Sequence, residues 1–151
     1  MRHFEDVGAL KGAVGEHLGF SRWSRVDQKA IDQFAEASGD YQWIHVDPIR
    51  AASGPFARTI AHGWLTLAVG TTLLKEIFEV GNVHLSVNYG VNRVRFPTPV
   101  RSGASIRTGV ELLSVEEIPG GCQALFLVTI EVDDSEKPAC VAESVGRYYA
   151  A

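Results

Sequence analysis

The chain has 151 residues, 46% of them apolar and 21% charged, with a formal net charge of -4. That supplies one domain over residues 1–151 with a sizeable core, and the acidic balance argues against nucleic acid, whose phosphates demand a concentrated positive surface. No apolar run reaches membrane-spanning length, and the opening MRHFEDVGAL lacks the charged-then-apolar plan of a secretion signal, so a cytoplasmic protein with no membrane partner is expected.

In chain order, residues 1–20 are rich in glycine and weakly periodic, and read as a loose arm with a helical turn around Asp6–Val14. Residues 21–26 read as a strand. Asp27 is a good helix N-cap. Ala30, Ile31, Phe34, Ala35 and Ser38 recur at helical spacing, and Gly39 stands where a helix normally stops. That helix reads as a lid on the core. Residues 40–45 read as a turn or extended, non-helical chain. Asp47-Pro48 then opens a short helix, Ile49 to Ser53, closed by Gly54-Pro55.

From His62 to Glu79 the apolar residues run almost all the way round, as in a helix buried on every side. Val83, Leu85, Val87 and Tyr89 alternate with polar residues, the period of a strand with one buried face, and the pattern continues to Phe96 before Pro97-Thr98-Pro99. Ala104 to Val115, Cys122 to Asp133 and Ala139 to Tyr149 read as three longer strands. Pro119-Gly120-Gly121 and residues 133–138 join them as hairpins. The expected class is α+β, an antiparallel sheet curling around one helix.

With that hairpin register, Cys122 lies opposite the end of the chain and Cys140 opposite about Glu131, so no disulfide is expected. No zinc-type spacing, phosphate loop or nucleophile elbow is present, and no metal is expected.

Residues 32–63 hold the chemistry. Asp40 and His45 lie five residues apart just past a helix stop, and His62-Gly63 opens the apolar helix. An acid, an imidazole and the free N–H groups of a helix start can move protons and hold a developing oxyanion. The bland alternative is an Asp bonding local backbone and a histidine with no role.

Phe34-Ala35-x-x-Ser38-Gly39-Asp40-x-x-x-x-His45-x-Asp47, followed by Ile60-Ala61-His62-Gly63, resembles the MaoC-type (R)-specific enoyl-CoA hydratases of the hot-dog fold. The resemblance runs from Ser21 to Tyr149, includes Asn88-Tyr89-Gly90 and Arg95-Phe96-x-x-Pro99-Val100, and is strongest with the small mycobacterial-type members. It implies a long antiparallel sheet wrapped around one central helix, and homodimers.

It also implies that Asp40 and His45 hold the water added to a trans-2-enoyl-CoA, with the Gly63 N–H on the thioester oxygen, giving the (3R)-3-hydroxyacyl-CoA. Which of Asp40 and His45 takes the water proton stays open. His62 and Thr71 become candidate substrate-binding residues. Thr71 stands where some members place a serine that steadies the acid, though it could equally bond its own helix. Arg93, Arg95, Arg101 and Arg107 are candidates for coenzyme A phosphates, with a solvated strand face the preferred alternative for most of them. No cofactor is implied, since the substrate carries coenzyme A or the phosphopantetheine of an acyl carrier. Gln42-Trp43, where many members have Asn-Pro, is a departure that bears on the acyl pocket. The alternatives are dehydration of a 3-hydroxyacyl carrier protein in fatty-acid elongation, a thioesterase, and a non-catalytic acyl-thioester-binding subunit.

Overall fold

The computed structural model describes residues 1–151. Three long strands set its frame: β6 (Ser105–Ile118), β7 (Gly121–Val132) and β8 (Cys140–Ala150). Ile106, Val110 and Leu112 of β6 share a buried face with Phe126, Val128 and Ile130 of β7 and Ala142 of β8. Alternation in all three strands puts these residues on one side. The β6–β7 register runs from Ile106↔Val132 to Ile118↔Gly121 with one bulge, and both expected hairpins form. Cys122 faces Tyr148 and Cys140 faces Ile130. The thiols are separate and buried, and burial pushes that of Cys140 up to about 11.

The sheet order is β2-β6-β7-β8-β5, with β2 at His17–Phe20 and β5 at Val83–Arg95; β3 (Ser24–Arg25) also pairs with β6. The first twenty residues are therefore not a loose arm. They comprise β1 (Arg2–Phe4), α1 (Val7–Lys11, capped by Asp6) and β2, with β1 running parallel to β4 (Phe78–Val80).

Against the concave face lies the central helix α5 (Gly63–Thr72). An ideal Cβ on Gly70 would stand 2.1 Å from Ile130 Cδ1. Glycine alone lets the helix axis come so near the sheet, and the buried Thr108 hydroxyl donates to the Gly70 carbonyl at 2.8 Å. The helix is shorter than its apolar pattern predicts. It tightens into a 3-10 turn at Leu73–Glu76, and Phe78 begins a strand.

Neither α5 nor β5 is buried as expected. Trp64 is 63% exposed, and Leu85, Val87, Tyr89 and Val91 are all exposed on a strand paired only with β8. The apolar alternation of β5 is real, but a single chain puts nothing against it. The architecture is the α+β hot-dog fold, one central helix in an antiparallel sheet. No helix is long and apolar enough to cross a membrane.

Candidate active site

Helix α2 (Gln28–Ser38) starts where Asp27 accepts the Ala30 amide at 2.9 Å and stops at Gly39, whose φ of 77° only glycine adopts at little cost. That stop delivers Asp40 to an exposed position, where one carboxylate oxygen accepts the Gln42 amide at 3.2 Å. The local backbone role is thus filled, and the second oxygen is left over.

The next segment corrects the sequence reading. His45 lies not in extended chain but in the one-turn helix α3 (Trp43–Val46), followed by α4 (Pro48–Ala52) capped by Asp47. The turn points His45 inward to 6% exposure. Trp43 takes the first helical position, where an N–H has no intrahelical acceptor, so proline and tryptophan are both accommodated. Its ring packs on Gly54 beneath the Arg50 guanidinium and does not line the cavity beside His45. Neither residue of the Gln42-Trp43 departure is therefore part of that cavity wall.

His45 Nδ1 lies 2.7 Å from the Ile60 carbonyl. A carbonyl only accepts, so Nδ1 carries the proton and Nε2 is the free nitrogen. The backbone around it is laced to the same segment. The Ile60 amide donates to the Ile44 carbonyl at 3.0 Å, and Gln28 Nε2 donates to the His45 carbonyl at 2.8 Å while Gln28 Oε1 accepts the Thr59 hydroxyl. Gln28 and Thr59 escape sequence reading because a polar residue at a helix start and a threonine in a loop carry no signal of their own.

His62, the residue before α5, is 2% exposed and stacks on His45 with ring centroids 3.8 Å apart. Its Nε2 donates to the Asp40 carbonyl at 2.9 Å. A carboxylate oxygen of Asp40 and one ring nitrogen each from His45 and His62 lie within 4.8 Å of one another. Some point then lies within about 2.8 Å of all three, ordinary hydrogen-bonding distance. Such a trio suggests a metal, but the stacking opposes one. Rings 3.8 Å apart and tilted by only 22° send their in-plane lone pairs side by side. They do not converge at the ~2.0–2.1 Å a zinc ion requires.

Burial lowers the His45 pKa below 6.5, with the charge of His62 acting the same way; the Ile60 hydrogen bond and Asp40 oppose them. The ring is held towards its neutral, proton-accepting form.

The amides of Gly63, Trp64 and Leu65 have no acceptor within the protein, as befits the first turn of a helix. Gly63 and His45 both line a cavity of about 400 Å³ with Phe56, Thr66, Phe96 and Val100. Sequence reasoning assigned Phe96 no role, yet its ring covers Gly63: an ideal Cβ there would lie 2.9 Å from two ring carbons.

The two proposed substrate-binding residues fall elsewhere. His62 does not line this cavity, being sealed behind His45 and Phe34. Thr71 lies eight residues along α5 from Gly63, about 12 Å of helix. Its hydroxyl bonds the Leu67 and Ala68 carbonyls at 2.9 and 3.1 Å, and it lines a separate cavity with Trp64 and Val91. Among the arginines, Arg101 pairs with Asp134 and Arg107 with Glu131, whereas Arg93 and Arg95 have no carboxylate partner.

Fold and site together define a hot-dog protein with an acid and an imidazole set beside a helix N-terminus. The chain belongs to the MaoC like domain family, which matches residues 9–130. It is 50% identical to 3-hydroxyacyl-thioester dehydratase Z of Mycobacterium tuberculosis over 99% of this chain and 100% of that protein. Among solved structures it resembles the (R)-hydratase from A. caviae involved in PHA biosynthesis, at 26% identity and TM-score 0.72, covering 88% of this chain and 94% of that one. It also resembles a monoamine oxidase regulatory protein from Archaeoglobus fulgius, at 19% identity and TM-score 0.81, covering 99% and 97%.

Proposed function

We propose that the chain is a hydro-lyase that interconverts a (3R)-3-hydroxyacyl thioester and the trans-2-enoyl thioester. The observation that carries this reading is the proximity of Asp40 to His45, with His45 and the N-terminal Gly63 of α5 lining one cavity. In the dehydrating direction a proton leaves C2, hydroxide leaves C3, and the thioester oxygen takes up charge in an enolate-like intermediate. In hydration water delivers hydroxyl to C3 and a proton returns to C2. Asp40 and His45 Nε2 hold the water oxygen and exchange its proton. The Gly63 N–H and the positive end of α5 hold the enolate oxygen.

Of the two directions, dehydration of a 3-hydroxyacyl thioester has the better support. A relative matched over its whole length at 50% identity is named a thioester dehydratase, against 26% identity for the (R)-hydratase structure. The test offers purified protein (3R)- and (3S)-3-hydroxybutyryl groups on coenzyme A and on an acyl carrier protein, and crotonyl-CoA for the reverse. Enoyl absorbance should appear from a 3R substrate and should be insensitive to EDTA. Turnover of the 3S form alone, or thioester hydrolysis in its place, would refute the reading.

The working form is proposed to be a homodimer. β5 is an unpaired edge bearing Leu85, Val87, Tyr89 and Val91 in the open, which a second copy would cover. Sedimentation should show a dimer at micromolar concentration. Val87→Lys, placing a charge on that edge, should shift it to monomer. A fully active monomeric wild type would contradict this assembly.

A further inference from the structure

His62 touches neither the cavity nor solvent, yet every group assigned to the chemistry is referenced to it. Its Nε2–H reaches across 22 residues to the Asp40 carbonyl at 2.9 Å. That is the only hydrogen bond linking the Asp40 main chain to a distant part of the protein, since the Asp40 amide bonds the Ser38 hydroxyl close by. Its ring stacks on His45 at 3.8 Å, and the Phe34 ring stands tilted against it at 4.8 Å. Its own carbonyl is followed by the Gly63 amide, and the Thr66 amide returns to that carbonyl at 3.1 Å.

We propose that His62 is a positioning residue that ties the acid, the catalytic imidazole and the first amide of α5 into one rigid unit. The inference rests on the hydro-lyase reading above and assigns His62 no contact with substrate.

Histidine suits this place better than its near-isosteres. A flat ring is needed to stack on His45, and a donor at its far edge is needed for the Asp40 carbonyl. Phenylalanine gives the first and glutamine the second. The remaining nitrogen, Nδ1, is the one buried side-chain polar atom in the protein without a partner. Buried orphans of this kind are rare in native proteins and are kept where function requires them. Here the cost follows from the job, because the ring must present Nε2 to Asp40 and lie flat on His45. The stack has a second consequence. At this distance the His62 ring opposes protonation of His45.

The groups facing His45 are few. Asp40 lies on one side and His62 on its ring face. Asp32 of α2 is reached only through Gln28, and Arg50 of α4 lies over Trp43. Removing His62 therefore takes away a neighbour that resists protonation of His45.

The test compares wild type, His62→Phe and His62→Gln in kcat, KM, the pH profile of kcat/KM and melting temperature, with 3-hydroxybutyryl-CoA as substrate. His62→Phe keeps a ring and loses the donor, so kcat should fall about tenfold or more with KM within about twofold, the loss expected of one neutral hydrogen bond and the order it imposed. His62→Gln keeps a donor and should recover part of kcat. Its acid limb should move to higher pH, because the opposition of His62 to protonation of His45 is gone. Were His62→Phe to fail to fold, the limb in His62→Gln decides. An unmoved limb, or no recovery by glutamine, would reduce His62 to packing. A raised KM at unchanged kcat would place it on the substrate. Either result overturns the inference. An inactive wild type would instead count against the hydro-lyase reading.

Discussion

The Nδ1–H of His45 points at the Ile60 carbonyl, 2.7 Å away, and that contact decides which nitrogen of the imidazole can work. Ile60 stands fifteen residues further on, held by its own amide to the Ile44 carbonyl. Strand-like residues before the central helix thus fix the tautomer of a group on another element.

Burial lowers the His45 pKa, and this sets a direction for pH dependence. Lowering means that the folded protein binds this proton less readily than the unfolded chain. The stability held by neutral His45 is therefore complete above 6.5 and declines as pH falls from 6.5 towards the folded value. Activity that needs the Nε2 lone pair should fail on the acid side, with its limb below 6.5. Paired pH series of melting temperature and kcat/KM check this. His45→Gln should flatten the part of the stability change that His45 causes. A wild-type acid limb above 6.5, or a slope unchanged in His45→Gln, would show that another group governs.

The packing of α5 on the sheet gives a prediction about the fold. Any side chain at Gly70 meets Ile130, whose Cδ1 and Cγ1 would lie 2.1 and 2.7 Å from the new carbon. Gly70→Ala should destabilise by about 1–3 kcal/mol through overpacking, despite alanine's better helix propensity. Ile130→Val in the same chain should return part of it. Chemical denaturation of the four proteins measures the coupling, and additive effects would place the two residues out of contact.

How much of this was legible in the sequence follows from what is local. Asp27, Gly39 and Asp47-Pro48 act on their own neighbours, so the ends of α2 and the start of α4 could be read. The hairpins announced themselves for the same reason. The N-terminal strands did not, because β1 and β2 exist through pairing with β4 and β6, and Gly19 at φ 130° breaks the alternation of β2. The end of α5 was overrun because the apolar pattern continues through Phe78. There the Thr71 and Thr72 hydroxyls bond back to helix carbonyls just before the chain tightens. Asp40, His45 and Gly63 were found as residue types at a spacing. The roles of Gln28 and Thr59 depend on contacts across the fold and left no such trace, and Phe96 stood in a motif whose spacing did not show that its ring covers Gly63.

Gly63 now has two reasons to be glycine, and they can be separated. The Phe96 ring occupies the space a side chain would need, so Gly63→Val must displace it before any substrate is considered. Phe96→Leu alone should retain activity within about tenfold, since it leaves the amide free. Gly63→Val should lose about 10²–10³-fold in kcat with Phe96 or with leucine there, the loss typical of an oxyanion donor. Recovery of Gly63→Val by Phe96→Leu would assign the glycine to packing alone.

The central claim is that Asp40 and His45 act on one water as a unit, and a double-mutant cycle on kcat tests it most directly. Asp40→Asn removes the carboxylate with little effect expected on melting temperature, because Asp40 is exposed. His45→Gln carries a stability cost as well, since His45 is buried and satisfies the Ile60 carbonyl. With (3R)-3-hydroxybutyryl thioester followed by enoyl absorbance, each single variant should lose roughly 10²–10⁴-fold in kcat, about 3–5 kcal/mol of barrier. The double variant should be barely slower than the worse single one. Single variants turning over at close to the wild-type rate, or losses that simply multiply in the double variant, would contradict the account.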